Sequence, residues 1–157
     1  MSAGHAATAD SSLLGQSPVG WRVDRIRDHL SGIVGGEWGD DPDAHDDGIE
    51  LPVIRVADIR DLDLTVNGLT IRRIKESKLT GRLIGKQTIL LEKSGGGENK
   101  PVGRAVRTNR VTFDAICSNF MAKVDCCDTV APEFVVYMLD ALYSSGVNGA
   151  CIQQTTG

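Results

Sequence analysis

Residues 88–104 read TILLEKSGGGENKPVGR. An apolar run, Thr88 to Glu92, has the composition of a short strand. It leads into Lys93-Ser94-Gly95-Gly96-Gly97, then a polar loop, then Pro101-Val102-Gly103-Arg104. Three consecutive glycines let a backbone approach a ligand closely and leave N–H groups free to meet an anion. The stretch is no P-loop, because the Gly-Lys pair at 85–86 is followed by Gln87 rather than Ser or Thr. It is no dinucleotide fingerprint either, since no G-x-G-x-x-G opens a helix here. Two readings of the loop stand: a mobile hairpin connection, or a phosphate-contacting, groove-inserting loop flanked by Lys93, Lys100 and Arg104.

The surrounding chain has the same strand-rich character. Pro52 to Ile59 (PVIRVADI) is a strand by composition. Its alternation breaks at Val53-Ile54, which predicts either a bulge or burial on both faces. Leu62 to Ile74 carries Asn67-Gly68, a hairpin-type turn signal. Pro101–Thr108 and Ala115–Val124 are further strand candidates. Asp28–Ile33 and Glu76–Ile84 read as short helices, the second broken at Gly81. The clearest helix is Ala131–Ser145, with Phe134, Met138, Ala141 and Leu142 at helical spacing and Val135 and Leu139 beside them. Pro132 suits its first turn and Gly146 its end. Strands with few, late helices imply an α+β domain. Residues 1–18 are small, polar and aperiodic, and read as a disordered leader before an ordered domain over 19–157.

Composition narrows the function. At 157 residues the chain is one domain, long enough to bury a core. The longest unbroken apolar run, Phe134 to Leu139, falls far short of the ~20 residues a membrane helix needs. Aromatic residues are 4% of the chain, which argues against a large stacking platform for single strands. The net charge of −4 hides an asymmetry. Residues 61–110 carry 11 Lys and Arg against 5 Asp and Glu, a net of +6, between two acidic segments. A local positive field attracts a polyanion even on an acidic chain; solvated Lys and Arg on an outer face explain the same count.

Motifs for chemistry are sparse. Cys117, Cys126, Cys127 and Cys151 form no C-x-x-C, and His5, His29 and His45 lie outside metal-ligand spacing with them. They read as reduced thiols. The aspartates of Gly35–Gly48 fit no EF-hand frame and read as a solvated loop. No G-x-S-x-G or H-E-x-x-H occurs, so the domain is read as non-catalytic, with no cofactor and no metal. The first twenty residues lack a basic n-region and a long apolar h-region, which makes the cytoplasm the default location.

Taken in order, these stretches resemble a target recognition domain of the specificity (S) subunit of type I restriction-modification systems. The resemblance rests on Pro52–Ile59, Thr88–Gly97, Pro101–Arg104, Cys117–Ala122 (CSNFMA), the helix around Phe134–Tyr143 and Gln154–Gly157, across roughly residues 20–157. It implies a curved, mostly antiparallel sheet with a few helices. It also implies that the chain reads one half of a bipartite double-stranded DNA site. The methyltransferase (M) subunits would methylate adenine from S-adenosylmethionine, the restriction (R) subunits would translocate and cleave with ATP, and the S subunit would catalyse neither.

The chain departs from that pattern by stopping at Gly157, without a spacer helix or second recognition domain. It therefore reads as a single domain from a truncated or half subunit, and pairing with another half S subunit is the expected way to complete it. An S fragment that binds partners without reading DNA is the alternative. The DNA-contact residues expected are Lys93, Ser94, Gly95, Gly96, Lys100 and Arg104. Arg72, Arg73 and Lys75 form a second basic cluster that reads equally well as a solvated strand end. Asn119 reads as a bidentate partner for adenine or as a local backbone contact.

Overall fold

The computed structural model describes residues 18–44, 47–95 and 101–146. The expected leader therefore lies almost wholly outside the described residues, as do Gly96, Gly97, Lys100 and Gln154–Gly157. The class is α+β, with three small sheets and, among the described residues, one α-helix.

The largest sheet has β1 (Leu30–Gly35), β9 (Met121–Cys126), β6 (Thr88–Glu92) and β7 (Ala105–Arg107) in that order, all antiparallel. A second sheet places β2 (Ile49–Ile54) between β5 (Thr70–Ile74), antiparallel, and β8 (Ile116–Cys117), parallel. β3 (Ile59–Arg60) and β4 (Asp63–Leu64) form a separate hairpin. Helix α1 (Pro132–Ser144) packs against β6 and β7.

Alternation along β6 shows why its apolar run is unbroken. Ile89 points into a cluster with Val124, Cys126, Val135 and Val136, under the helix. Leu90 points the other way, into a cluster with Ile54, Ile59, Leu64, Val106, Cys117 and Met121. The four-stranded sheet is thus covered on both faces, the arrangement that calls for continuous apolar strands. β2 behaves alike: Val53 joins Leu51, Ile74 and Ile116, while Ile54 faces the other cluster, and both are fully buried. Two-sided burial, not a bulge, explains the broken alternation at 53–54. Full burial of one such side chain contributes roughly 1.5–3 kcal/mol.

Several expectations are corrected. Asp28–Ile33 is no helix: a 3-10 turn over Ile26–His29 runs straight into β1, which pairs with β9. Residues 76–84 form only a 3-10 turn at Glu76–Lys78, with Gly81 at φ +72°. Pro52–Ile59 is not one strand, because a 3-10 turn at Val56–Asp58 separates β2 from β3. Only Ala105–Arg107 of the 101–108 stretch is strand.

Asn67-Gly68 does turn the chain, with Gly68 at φ +71°, yet it links β4 to β5 in different sheets. The two-residue hairpin turn is Asp61-Leu62, where Asp61 takes φ +52°, a conformation that aspartate tolerates. The helix starts and ends as expected, but its buried side is Val135 and Val136, with Leu139 half-buried. Phe134 is 45% exposed and packs on Trp21 instead.

Candidate nucleic-acid interface

The segments that follow β1, β2, β6 and β8 converge at one end of the sheets. Glycine makes the convergence possible. A Cβ on Gly36 would stand 2.1 Å from the Ser118 carbonyl oxygen and 2.3 Å from that of Cys117. Without one, the Gly36 N–H donates to Met121 O (3.0 Å) and the Glu37 N–H to Cys117 O (2.9 Å). The chain after β1 is thereby sewn to the β8–β9 turn. The Ser118 N–H donates to Ile54 O at 2.9 Å, tying that turn to the end of β2.

The loop after β6 is anchored to the same turn. The N–H groups of Lys93 and Ser94 both donate to Phe120 O, at 3.0 and 3.2 Å. Those two amides are therefore engaged rather than open to an anion. Gly95 has φ +94°, and the Phe120 ring lies 3.1 Å from where its Cβ would stand, so glycine serves both the backbone and the ring.

Between these segments lies a cleft of about 380 Å³, lined by Trp38, Arg55, Val56, Ala57, Ser94, Gly95, Ser118, Asn119 and Phe120. Arg55 is held by Asp58 through Nε–Oδ2 at 3.2 Å and Nη2–Oδ1 at 3.1 Å. Asp58 also accepts from the Arg55 N–H at 2.8 Å. This hydrogen-bonded carboxylate raises the Arg55 pKa and cancels its charge locally. Ser118 is only 1% exposed, and its hydroxyl has no hydrogen-bond partner among the described residues. A buried hydroxyl left unpaired costs roughly 1–3 kcal/mol.

Beside the cleft stand two cations. Arg82 donates from Nε to Gly35 O at 3.0 Å and from Nη1 to Lys78 O at 2.8 Å. Lys93 Nζ lies over the same Gly35, 3.3 Å from where its Cβ would stand. Among the described residues neither meets a carboxylate, so both keep their net charge. Both also act on the Cys117 thiol beneath them. Burial outweighs their attraction and pushes that thiol up to about 11, so Cys117 is protonated at neutral pH and is no nucleophile.

The expected contact residues divide. Ser94, Gly95 and the exposed Asn119 line the cleft, and Lys93 stands beside it. Gly96 and Lys100 lie outside the described residues. Arg104 turns inward: it donates to buried Glu92 through Nε–Oε2 at 2.8 Å and Nη2–Oε1 at 3.3 Å, which raises its pKa. Arg72 pairs with Asp41, donates to Gly39 O at 3.2 Å and lies over the Trp38 ring at 4.8 Å. Arg73 pairs with Glu50. Arg73 and Lys75 line a separate depression with Glu37, Asp40 and Lys78. The structure thus sets the second basic cluster apart from the cleft, apart from Arg72's support of Trp38.

The sequence reading did not single out Trp38, Arg55 and Phe120, which line the cleft, or Arg82, which stands beside it. Arg55 and Phe120 stood inside the stretches that carried the resemblance. Nothing in the sequence marked Arg82 or Trp38. No group of three or more His, Cys, Asp or Glu among the described residues is placed to hold a metal ion. No helix among them is long and apolar enough to cross a membrane.

This architecture is found in a known class of protein. The chain is similar in fold to the crystal structure of the HsdS subunit from Thermoanaerobacter tengcongensis, with a TM-score of 0.54 and 20% sequence identity. The match covers 83% of this chain and 30% of that one, so the fold seen here corresponds to a single portion of an HsdS chain. No family model and no curated protein matches the sequence.

Proposed function

We propose that residues 19–157 act as one target recognition domain of a type I restriction-modification specificity subunit. On this reading the chain binds double-stranded DNA, recognises one half of a bipartite site and directs the methyltransferase and restriction subunits to it. It performs no chemistry itself. A second half S subunit would supply the other half-site, and the complex would work in the cytoplasm. The observation that carries the reading is the placement of Lys93 and Arg82, neither of which meets a carboxylate among the described residues, beside the cleft of Ser94, Asn119 and Phe120 in an HsdS-like fold. Cations at phosphates give affinity, and polar side chains next to them reach base edges.

The test is selection from a randomised duplex library by this chain together with its neighbouring M subunit. Enrichment of one short motif is expected. Binding should fall with salt at a log–log slope of about −0.9 per phosphate neutralised.

One observation favours a second reading, that of an interaction module without DNA readout. Val19, Trp21, Val23, Phe134 and Tyr137 are all exposed, and Trp21 packs on Phe134 with ring centroids 6.4 Å apart. Capture of M subunits with no enriched motif would select that reading.

A further inference from the structure

We propose that the cleft between Trp38 and Phe120 is a nucleobase-binding site, which takes a base turned out of the DNA stack. The proposal rests on the reading of this face as a DNA interface, and deepens it by naming what enters the cleft.

Four observations converge on a flat, neutral, heterocyclic ligand. First, the cleft measures about 380 Å³ and counts Trp38 and Phe120 among its lining residues. That volume lies in the range of small-molecule sites, and aromatic rings stack on the faces of bases. Second, both rings are held in place. Arg72, which does not line the cleft, lies over Trp38 at 4.8 Å. The Phe120 carbonyl accepts from Lys93 and Ser94, and its ring packs on Gly95.

Third, Ser118 lines the cleft, and its buried hydroxyl, unpartnered among the described residues, has one donor and two acceptor sites. Asn119 adds an amide, whose paired donor and acceptor match the edge of a base. Fourth, the charge is arranged correctly for a base rather than a phosphate. Arg55 is neutralised by Asp58 within the cleft, while Lys93 and Arg82 stand outside it over Gly35. A phosphate would settle on that outer pair and leave the cleft to the attached base.

The experiment uses the full chain carrying Trp21→Phe, which leaves Trp38 as its single tryptophan. Emission and affinity are read against three probes at one salt concentration: a fully paired duplex, the same duplex with one mismatched base, and free nucleosides. A mismatched base costs least to extrude. The mismatched duplex is therefore expected to bind roughly tenfold tighter than the paired one, with quenching of Trp38.

Ser118→Ala should bring the ratio of the two affinities toward one and weaken the quenching. This variant removes a hydroxyl that has no partner among the described residues, so no hydrogen bond seen there is lost, and the ratio corrects for any general change in DNA binding. Equal affinity for both duplexes without quenching, and no response to nucleosides, overturns the base site while leaving DNA binding in place. Quenching by free nucleosides with no duplex bound supports the base site and overturns the DNA reading instead.

Discussion

Two groups of cations on the same chain have opposite fates. Arg82 and Lys93 meet over Gly35, and among the described residues neither pairs with a carboxylate, so neither charge is cancelled there. Arg72, Arg73 and Arg104 are each held by a carboxylate, from Asp41, Glu50 and Glu92. Arg107 and Arg110 share Asp63. Glu92 and Asp63 already count within the net of +6 over residues 61–110, and Asp41 and Glu50, from the acidic segment before it, offset two more of those charges. A basic segment in sequence and a basic surface in space are different things, because pairing across strands is invisible to a running count of charge.

The contrast is sharpest at β6, where Lys93 and Glu92 are neighbours and Arg104 answers Glu92 from across the loop. Removing one member of a buried pair leaves the other charge uncompensated, at a cost of roughly 3–5 kcal/mol. Arg104→Ala should accordingly lower the unfolding free energy by about that amount, discounted toward the lower end because Arg104 is one-third exposed. Denaturant titration checks it. An unchanged midpoint would return Arg104 to the pool of cations available for DNA.

A smaller effect is expected from Cys117, which lies under the free cations. Its thiol titrates at about 11 in the fold, against 9.0 when exposed. The unfolded chain thus releases this proton first as pH rises. Stability from Cys117 is complete below pH 9 and is lost progressively up to about pH 11, a change of roughly 2–3 kcal/mol. Thermal melts across that window should show the loss, and it should shrink in Cys117→Ala. A flat profile would break the assignment of burial as the dominant influence.

The smallest effect discriminates between the two groups directly. Lys93→Ala and Arg82→Ala should each reduce the salt slope of duplex binding by about 1, while Arg73→Ala should leave it within error. Equal slopes for all three variants would erase the distinction drawn here. Pairing at the exposed Glu50 end is worth only about 0–1 kcal/mol, so Arg73→Ala should fold normally.

Much of the fold was legible in the sequence for identifiable reasons. β6 and the helix from Pro132 to Ser144 stood out because an apolar run bounded by turn residues, and a proline and glycine at helix ends, are local signals. The short strands were not legible in the same way. β3, β4 and β8 are two residues long and exist only because partners from elsewhere complete their hydrogen bonds. The helix's buried side was misplaced for a related reason. Phe134, Met138, Ala141 and Leu142 have proper spacing, yet the sheet beneath accepts Val135 and Val136, and Phe134 finds Trp21.

The cleft shows the same division. The sequence by itself determined that Lys93, Ser94 and Gly95 follow a strand, since Ile89–Leu91 is an apolar run and the residues after Glu92 are polar or glycine. The sequence reading ran one strand through Ala115–Val124, whereas the chain turns at 118–120 between β8 and β9. Only the tertiary structure decided that these loops meet Trp38 and Arg55, residues up to 82 positions from Phe120. The physical reason is the crossing of β1, β6 and β9 in one sheet and of β2 and β8 in another. Long-range hydrogen bonds set which chain ends adjoin, and a glycine with no room for a Cβ lets them touch.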